Sequence, residues 1–379
     1  MICTNCADHY ERFGPVSRLD MVKNQRVLMC LGPEFNEAAL FDPHGNFSAA
    51  GGYMGSLGGL YPDGMLLRDG KKHKKTRRAS QPAFKTDALR TYVDMLNPIQ
   101  SRRIDELKPD EEFIFYDNIQ QTLMDVAAKV FIGLDETSAE AKMLHKIFEN
   151  INKGLITPVP YDLPFSTFRK ALKSRESLRN FLVTKIPERR GTELEDMFSR
   201  YCNAKDEDEN YLEDVDIDGH IAFLLFAAFD TTTSALTNIL YYLGKNPEWQ
   251  EKVRDEINNV SSDIPSYDDM AEMKLTEYVF QETLRFYPSV MILNRRTTRD
   301  VEVGGYEIPA NTVVMISPPF THRMEEWWTN PLEFDPMRFS PDRAEHKRHG
   351  FSYIPFGGGA HKCIGMHFAT VSYTHLRAH

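Results

Sequence analysis

Cysteine is scarce in this chain: 5 residues among 379, at positions 3, 6, 30, 202 and 363. Few, scattered and odd in number, they exclude a secreted disulfide scaffold and make a reducing compartment the default. Cys3 and Cys6 form a lone C-x-x-C, and no second pair or histidines at ligand spacing follow nearby. An ordinary N-terminus therefore competes with a metal site there. Long apolar runs are also lacking. The longest, residues 221–229, is far shorter than the about 20 residues a bilayer-spanning helix needs, and the N-terminal stretch has no signal-peptide pattern. As written, the chain is expected to be soluble. It has no surplus of positive charge: the formal net charge of −10 excludes a molecule built as a whole to hold nucleic acid. Internal repeats and low-complexity tracts are missing too.

What is present suits a globular protein. Apolar residues make up 41% and charged residues 26%, in a chain long enough to bury a sizeable core. Residues 15–22 and 26–31 read as short strands around the polar Lys23-Asn24-Gln25. Residues 33–41 read as a helix, with Pro33 at its start and Glu34 in its first turn. Residues 45–64 hold seven glycines together with Tyr53, Met54, Leu57, Leu60 and Tyr61. A flexible linker would not carry so many large apolar groups, so a loop folded over a cavity is expected.

Helical patterns, punctuated by prolines, dominate from about 69 to 287. Acidic residues 206–209 mark a loop before a helix whose positive end suits Asp214, Asp216 and Asp218. Residues 301–303 and 306–308 form a hairpin pattern around Gly304-Gly305, and 312–316 read as its continuation. The fold class expected is mainly α with small β-sheets (α+β), as one domain over 1–379. Its β-rich part lies mainly in 10–60 and 295–320, its helical part mainly in 69–290.

Four stretches carry chemistry. In the first, the glycine-rich Phe356-Gly357-Gly358-Gly359-Ala360-His361-Lys362 leads into Cys363-Ile364-Gly365, and an amphipathic stretch follows. A cysteine near a helix N-terminus, beside Lys362 and His361, favours the thiolate. The glycines let backbone approach something bulky and flat. A soft anionic sulfur beside such a clearing suits iron ligation, although a buried structural cysteine after a loop would read the same way.

In the second, Glu282 and Arg285 stand at i and i+3 on one helix face. Alone this is a surface pair of little worth. Leu275, Val279, Leu284, Phe286 and Tyr287 surround it, so a buried network is expected.

The third stretch, residues 221–236, reads as a buried central helix, apolar almost all round and interrupted by Asp230-Thr231-Thr232-Thr233-Ser234. Hydroxyls satisfied by the i−4 carbonyls account for Thr233 and Ser234. Asp230 and Thr231, an acid beside a hydroxyl, can pass protons. The fourth is the basic run 71–78, a nucleic-acid patch if read alone, which the acidic chain argues against.

Together these stretches resemble the cytochrome P450 family over nearly the whole chain. Phe356, Gly359, His361, Cys363 and Gly365 match every fixed position of its haem-binding loop, Phe-x-x-Gly-x-(Arg or His)-x-Cys-x-Gly. Glu282 and Arg285 match its Glu-x-x-Arg, and Arg338 matches its Pro-x-Arg-Phe segment. Residues 227–232 resemble its oxygen-activation segment, with Ala228 where glycine is usual. His73 and Arg77 match His-x-x-x-Arg.

The resemblance implies a haem-dependent monooxygenase that inserts one atom of O2 into a lipophilic substrate, with two electrons from an electron donor protein (a reductase or a ferredoxin). The cofactor implied is haem b (iron protoporphyrin IX). Cys363 would be its axial thiolate, flanked by Phe356 and Gly365. His73, Arg77, Arg295 and His361 would meet its propionates, with Arg296 the lesser choice beside Arg295. Asp230 and Thr231 would guide protons, and Glu282, Arg285 and Arg338 would lock the core. An acidic donor would dock on the remaining lysines of 71–78.

The proline-rich segment 154–175 looks most like members acting on sterols, retinoids or other terpenoids. Members using peroxide tend to lack the acid–threonine pair, which speaks against that variant. The family's C-terminal strands are missing after residues 372–379, which do not continue the helix begun at 364–371. A truncated haem-binding or inactive fragment is the alternative. With an N-terminal anchor, the expected place would be the endoplasmic reticulum membrane, facing the cytosol.

Overall fold

The structure, a computed structural model, describes residues 2–19, 26–108, 112–158, 160–206, 209–260 and 264–370, without the side chains of 2–5. In chain order it runs α1 (Ile2–Phe13), β1 (Val16–Leu19), β2 (Val27–Cys30), α2 (Pro33–Phe41), β3 (Phe47–Ser48), α3 (Ala49–Leu57) and α4 (Gly70–Ser80). Next come α5 (Thr86–Asp105), α6 (Phe115–Val126), α7 (Ala139–Leu155), α8 (Thr167–Arg189), α9 (Met197–Cys202) and α10 (Asp214–Lys245). The rest is α11 (Pro247–Asn258), α12 (Lys274–Phe286), β4 (Leu293–Thr297), β5 (Val301–Val303), β6 (Tyr306–Ile308), β7 (Val313–Ile316) and the single turn α13 (Pro318–Thr321). The polar Lys23-Asn24-Gln25 and residues 372–379 lie outside the described residues.

These elements group into two compact units. The first contains Met1–Tyr53, Ser234–Asn259 and Met273–Met366; the second contains Met54–Thr233, Val260–Glu272 and His367–His379.

In the first unit, one sheet has the strand order β1-β2-β7-β4-β3. β7 lies in its middle, parallel to β2 (Val27↔Val313, Cys30↔Ile316) and antiparallel to β4 (Leu293↔Ile316, Arg295↔Val314). The reading of 312–316 as an extension of the hairpin is therefore corrected. Val313, Val314 and Ile316 are all buried, and a strand buried on both faces belongs inside a sheet. The hairpin itself, β5 with β6, stands apart as a two-stranded sheet. Gly304 (φ 57°) and Gly305 (φ 79°) make its turn, since both positions need left-handed backbone. Cys30, Phe35, Leu40, Phe47, Ile308, Val314, Ile316 and Ile354 form the core beneath. α2 begins at Pro33 as its sequence indicates.

The loop over a cavity expected of residues 45–64 is corrected: Ala49–Leu57 within it is helix α3. The Ser48 hydroxyl accepts a hydrogen bond from the Gly51 amide at 2.7 Å, as an N-cap does, and α3 follows. A Cβ on Gly52 would lie 2.8 Å from the Arg295 backbone, so this glycine serves close approach to β4. α1 had no clear signal in the sequence.

The second unit is helical. Its core includes Tyr92, Leu96, Val130, Phe131, Ile151, Leu178, Leu182, Phe198, Ile217 and Ile221. At the start of α10, Asp214, Asp216 and Asp218 stand where the helix dipole favours them. Each also pairs with an arginine: Arg190 at 2.7 Å, Arg68 at 2.5 Å and Arg175 at 2.8 Å respectively. α10 is the one helix among the described residues long and apolar enough to cross a membrane. It is not buried all round, as its composition led us to expect. Ile221, Ala222 and Leu225 are buried, whereas Phe226, Ala227, Ala228, Phe229 and Thr231 are half-buried.

α7 packs on α8 where Gly154 meets Ala171: a Cβ on Gly154 would sit 2.2 Å from that of Ala171. Gly154→Ala gains helix propensity of about 1 kcal/mol but overpacks this contact at a cost of about 1–3 kcal/mol. We expect a lower melting temperature for Gly154→Ala and recovery in the double variant Gly154→Ala/Ala171→Gly, read by thermal unfolding. A single variant as stable as the parent would refute the packing account.

Candidate functional site

The cysteine loop belongs to the first unit. It is built by turns that only glycine accommodates. The Gly357 amide donates to the Ile354 carbonyl at 3.0 Å, and Gly357 (φ 68°) and Gly359 (φ 62°) are left-handed. Gly359 is pressed on the end of α2, where a Cβ would lie 1.8 Å from the Leu40 carbonyl oxygen. The Cys363 amide then donates to the Phe356 carbonyl at 3.0 Å, closing the loop. The Phe356 ring leans on Phe280 of α12, centroids 6.4 Å apart.

This loop holds Cys363 at an exposed position, while Cys6, Cys30 and Cys202 are buried. Burial pushes the thiols of Cys30 and Cys202 up to about 12, which makes them inert. A helix begins at residue 366, just after Cys363. A Cβ on Gly365 would come into van der Waals contact with the Cys363 sulfur, at 3.9 Å. His361 is partly exposed and Lys362 exposed beside it. An accessible soft sulfur, two neighbouring basic groups and side-chain-free backbone fit a flat, anionic, iron-bearing group.

α12 and the segment after it anchor this loop. Glu282, Arg285 and Arg338 are fully buried. Arg285 grips both Glu282 oxygens at 2.7 and 2.9 Å and donates to the carbonyls of His322, Pro331 and Glu333. Arg338 donates to Glu282 at 3.0 Å and to Glu345 at 3.1 Å.

Glu345 is the member that sequence reasoning missed. It is 1% exposed and accepts from Arg338, from Arg343 at 2.6 Å and from the Thr329 amide at 2.9 Å. Burial works to raise its pKa, but those partners outweigh burial and hold the carboxyl below its ordinary value. Two buried arginines thus face two buried carboxylates. Spacing offered no signal, because Glu345 follows a turn.

Arg295 is buried on β4 and donates to the Asn294 carbonyl at 2.8 Å. The Tyr53 hydroxyl accepts from the Asn294 amide at 3.1 Å and hydrogen-bonds the Arg295 side chain. Arg296 is tied instead to the Gly51 carbonyl and to Asn311.

In the second unit, His73 and Arg77 share a face of α4, the first buried and the second half-buried. Lys71, Lys72, Lys74, Lys75 and Arg78 are exposed. On α10, the Thr231 hydroxyl donates to the Ala227 carbonyl at 2.7 Å, the same bond that Thr233 makes to Phe229 at 2.9 Å. The two differ in access: Thr233 is buried and Thr231 half-open. Asp230 is exposed by area, yet desolvation raises its pKa. An accessible carboxyl crowded by apolar neighbours reconciles the two.

The family model described as cytochrome P450 matches residues 1–376. Cytochrome P450 136 of Mycobacterium tuberculosis is 34% identical over 368 residues, 95% of this chain and 73% of its own length. Taxane 10-beta-hydroxylase of Taxus cuspidata is 29% identical, over 96% of this chain and 75% of its own. Among solved structures, retinoic acid-bound cyanobacterial CYP120A1 superposes with a TM-score of 0.86 at 26% identity. The superposition covers 98% of this chain and 85% of that one.

Removing one partner of a buried charge network costs about 3–5 kcal/mol. We expect Arg285→Ala and Glu345→Ala each to lose that much in urea unfolding, and Arg285→Ala to prevent stable haem incorporation. Arg343→Ala, at the exposed rim of the network, should lose only about 0–1 kcal/mol. Normal haem content in a soluble Arg285→Ala variant would contradict this.

Proposed function

The chain belongs to the cytochrome P450 family, and on that premise we propose how its residues share the work of a haem-dependent monooxygenase. The enzyme inserts one atom of O2 into a lipophilic substrate, and the other leaves as water after a redox partner supplies two electrons. Haem b, when bound, supplies the binding and activation of dioxygen.

The observation that carries the division of roles is the exposed Cys363 at the end of a loop pinned to α2 and closed on Phe356. In our reading Cys363 would hold the iron of haem b through its sulfur. The helix start at residue 366 and the basic His361 and Lys362 keep its sulfur anionic. Phe356 shields the sulfur and Gly365 adds no side chain against it. Arg295 and His361, and in the second unit His73 and Arg77, would each offer a propionate a charge-assisted hydrogen bond. Asp230 and Thr231 deliver protons. A carboxyl with a raised pKa stays protonated to higher pH than an ordinary aspartate, so more of it carries a proton to donate. The Thr231 hydroxyl donates to Ala227, and a hydroxyl that donates one hydrogen bond can still accept another. Glu282, Arg285 and Arg338, joined by Glu345, hold the loop's base.

We assign the substrate to the terpenoid class, sterols and retinoids included. Exposed Ile156, Tyr161, Leu163 and Phe165 between α7 and α8 offer a greasy rim. A relative named for taxane hydroxylation and a structural neighbour bound to retinoic acid point the same way. The exposed lysines of α4 fit an acidic electron donor of the ferredoxin or reductase kind.

The reduced carbon-monoxide difference spectrum of purified protein should carry a thiolate-type Soret band, and Cys363→Ser should lose it. A histidine-type band in the parent would sink the assignment of Cys363. Thr231→Ala should still consume electrons while product per electron falls about tenfold or more. Undiminished coupling in that variant would remove Thr231 from proton delivery.

A further inference from the structure

His322 lies outside every motif above, yet it is fully buried and its ring is used on both sides. Its Nδ1 stands 3.1 Å from the Arg285 carbonyl oxygen, and its Nε2 stands 2.9 Å from the Ile354 amide nitrogen. A carbonyl can only accept and an amide N–H can only donate. The partners therefore fix the tautomer: the proton is on Nδ1, and bare Nε2 accepts from Ile354. Arg285 returns the contact by donating from Nη1 to the His322 carbonyl at 2.7 Å.

We infer that His322 is a positioning residue for the cysteine loop, a neutral imidazole that ties the end of α12 to the backbone entering that loop. The tie continues by main-chain bonds. The Ile354 carbonyl accepts from Gly357, and the Phe356 carbonyl accepts from Cys363, both at 3.0 Å. Four hydrogen bonds thus connect Arg285 to the Cys363 amide. The ring also packs on Tyr353 and Trp328, centroids 5.2 and 6.4 Å away. Burial, reinforced by the charge of Arg285, lowers the pKa of His322 to about 3. The ring therefore stays neutral, as the bond from Ile354 requires, since an imidazolium would set two N–H groups against each other.

The inference rests on the reading of Cys363 as ligand for its spectral test alone. His322→Phe keeps the ring packing and removes both hydrogen bonds. His322→Gln keeps one donor and one acceptor. In the haem-loaded protein, with helical content unchanged by circular dichroism, His322→Phe should lower the ratio of thiolate-type to protonated-thiol-type carbon-monoxide bands about tenfold or more, the effect of losing its two buried hydrogen bonds. His322→Gln should recover most of it. A wild-type ratio in His322→Phe overturns the inference, as does a His322→Gln no better than His322→Phe.

Should His322→Phe fail to fold, nitrogen-15 spectra of the unmutated, diamagnetic carbon-monoxide complex decide. They should show His322 protonated on Nδ1 and bare on Nε2 across neutral pH. The opposite tautomer, or a charged ring, overturns the inference. Absence of any thiolate band in the parent would strike at Cys363 as ligand and leave this tautomer test standing.

Discussion

Two arginines with no exposed surface, Arg285 and Arg338, set the terms for the functional half of the first unit. Water cannot solvate them, so every charge and every N–H must be met by protein. Glu282 meets both guanidinium groups and also accepts from the Asp335 amide at 2.9 Å. Glu345 supplies the second negative charge, and the carbonyls of His322, Thr329, Asn330, Pro331 and Glu333 absorb the remaining donors. The segment 329–345 has almost no regular structure of its own. Its path is dictated by the need to bring carbonyls to two cations. A buried network of this kind is a weak source of net stability but a strong source of specificity, because a displaced loop would leave a charge unmet.

That specificity suits the role of iron ligand proposed for Cys363. The sulfur of Cys363 sits on a loop with three consecutive glycines, whose intrinsic freedom would let it wander. Four separate contacts remove that freedom: Gly359 on the Leu40 carbonyl, Gly358 against the Phe351 ring, Phe356 against Phe280, and the Cys363 amide on Phe356. The glycines thus serve contact more than flexibility. Leu40 sits in α2 and Phe280 in α12, so the loop is referenced to two helices at once. α12 is the helix that carries Glu282 and Arg285.

What the sequence disclosed follows from this division. Local signals were readable where local chemistry decides the outcome. Pro33 at the start of α2, Gly304-Gly305 in the hairpin and the acidic start of α10 are examples. So was the burial of Glu282 and Arg285, because their apolar neighbours on the same helix face betray it. Features set by distant partners were not readable. β7 joins β2 and β4 across long separations. Gly51 and Gly52 looked like looseness because their purpose, the approach of α3 to β4, lies in Arg295 and Arg296, far along the chain. Glu345 and His322 act through partners on other segments, and neither belongs to a spaced motif. Thr231 was set apart from Thr233 on hydrogen bonding, but both hydroxyls make the same i−4 bond. Access is the difference, and access is a property of the fold.

That last distinction has a consequence for α10. A helix this apolar, buried on every side, could hold its hydroxyls only by back-bonding to its own carbonyls. The half-buried run from Phe226 to Phe229, with Thr231, instead leaves one side of the helix open to whatever fills it. On that side Asp230 is reachable yet desolvated enough to raise its pKa. In bulk water the carboxyl would be ionised at neutral pH and a poor proton source. Fully buried, it would be inaccessible to a proton donor. Partial burial lies between these limits, and an acid that both takes up and releases protons requires that intermediate state. In the proton relay proposed for Asp230 and Thr231, the degree of burial of the carboxyl, more than its own chemistry, therefore sets how well it can serve the hydroxyl beside it.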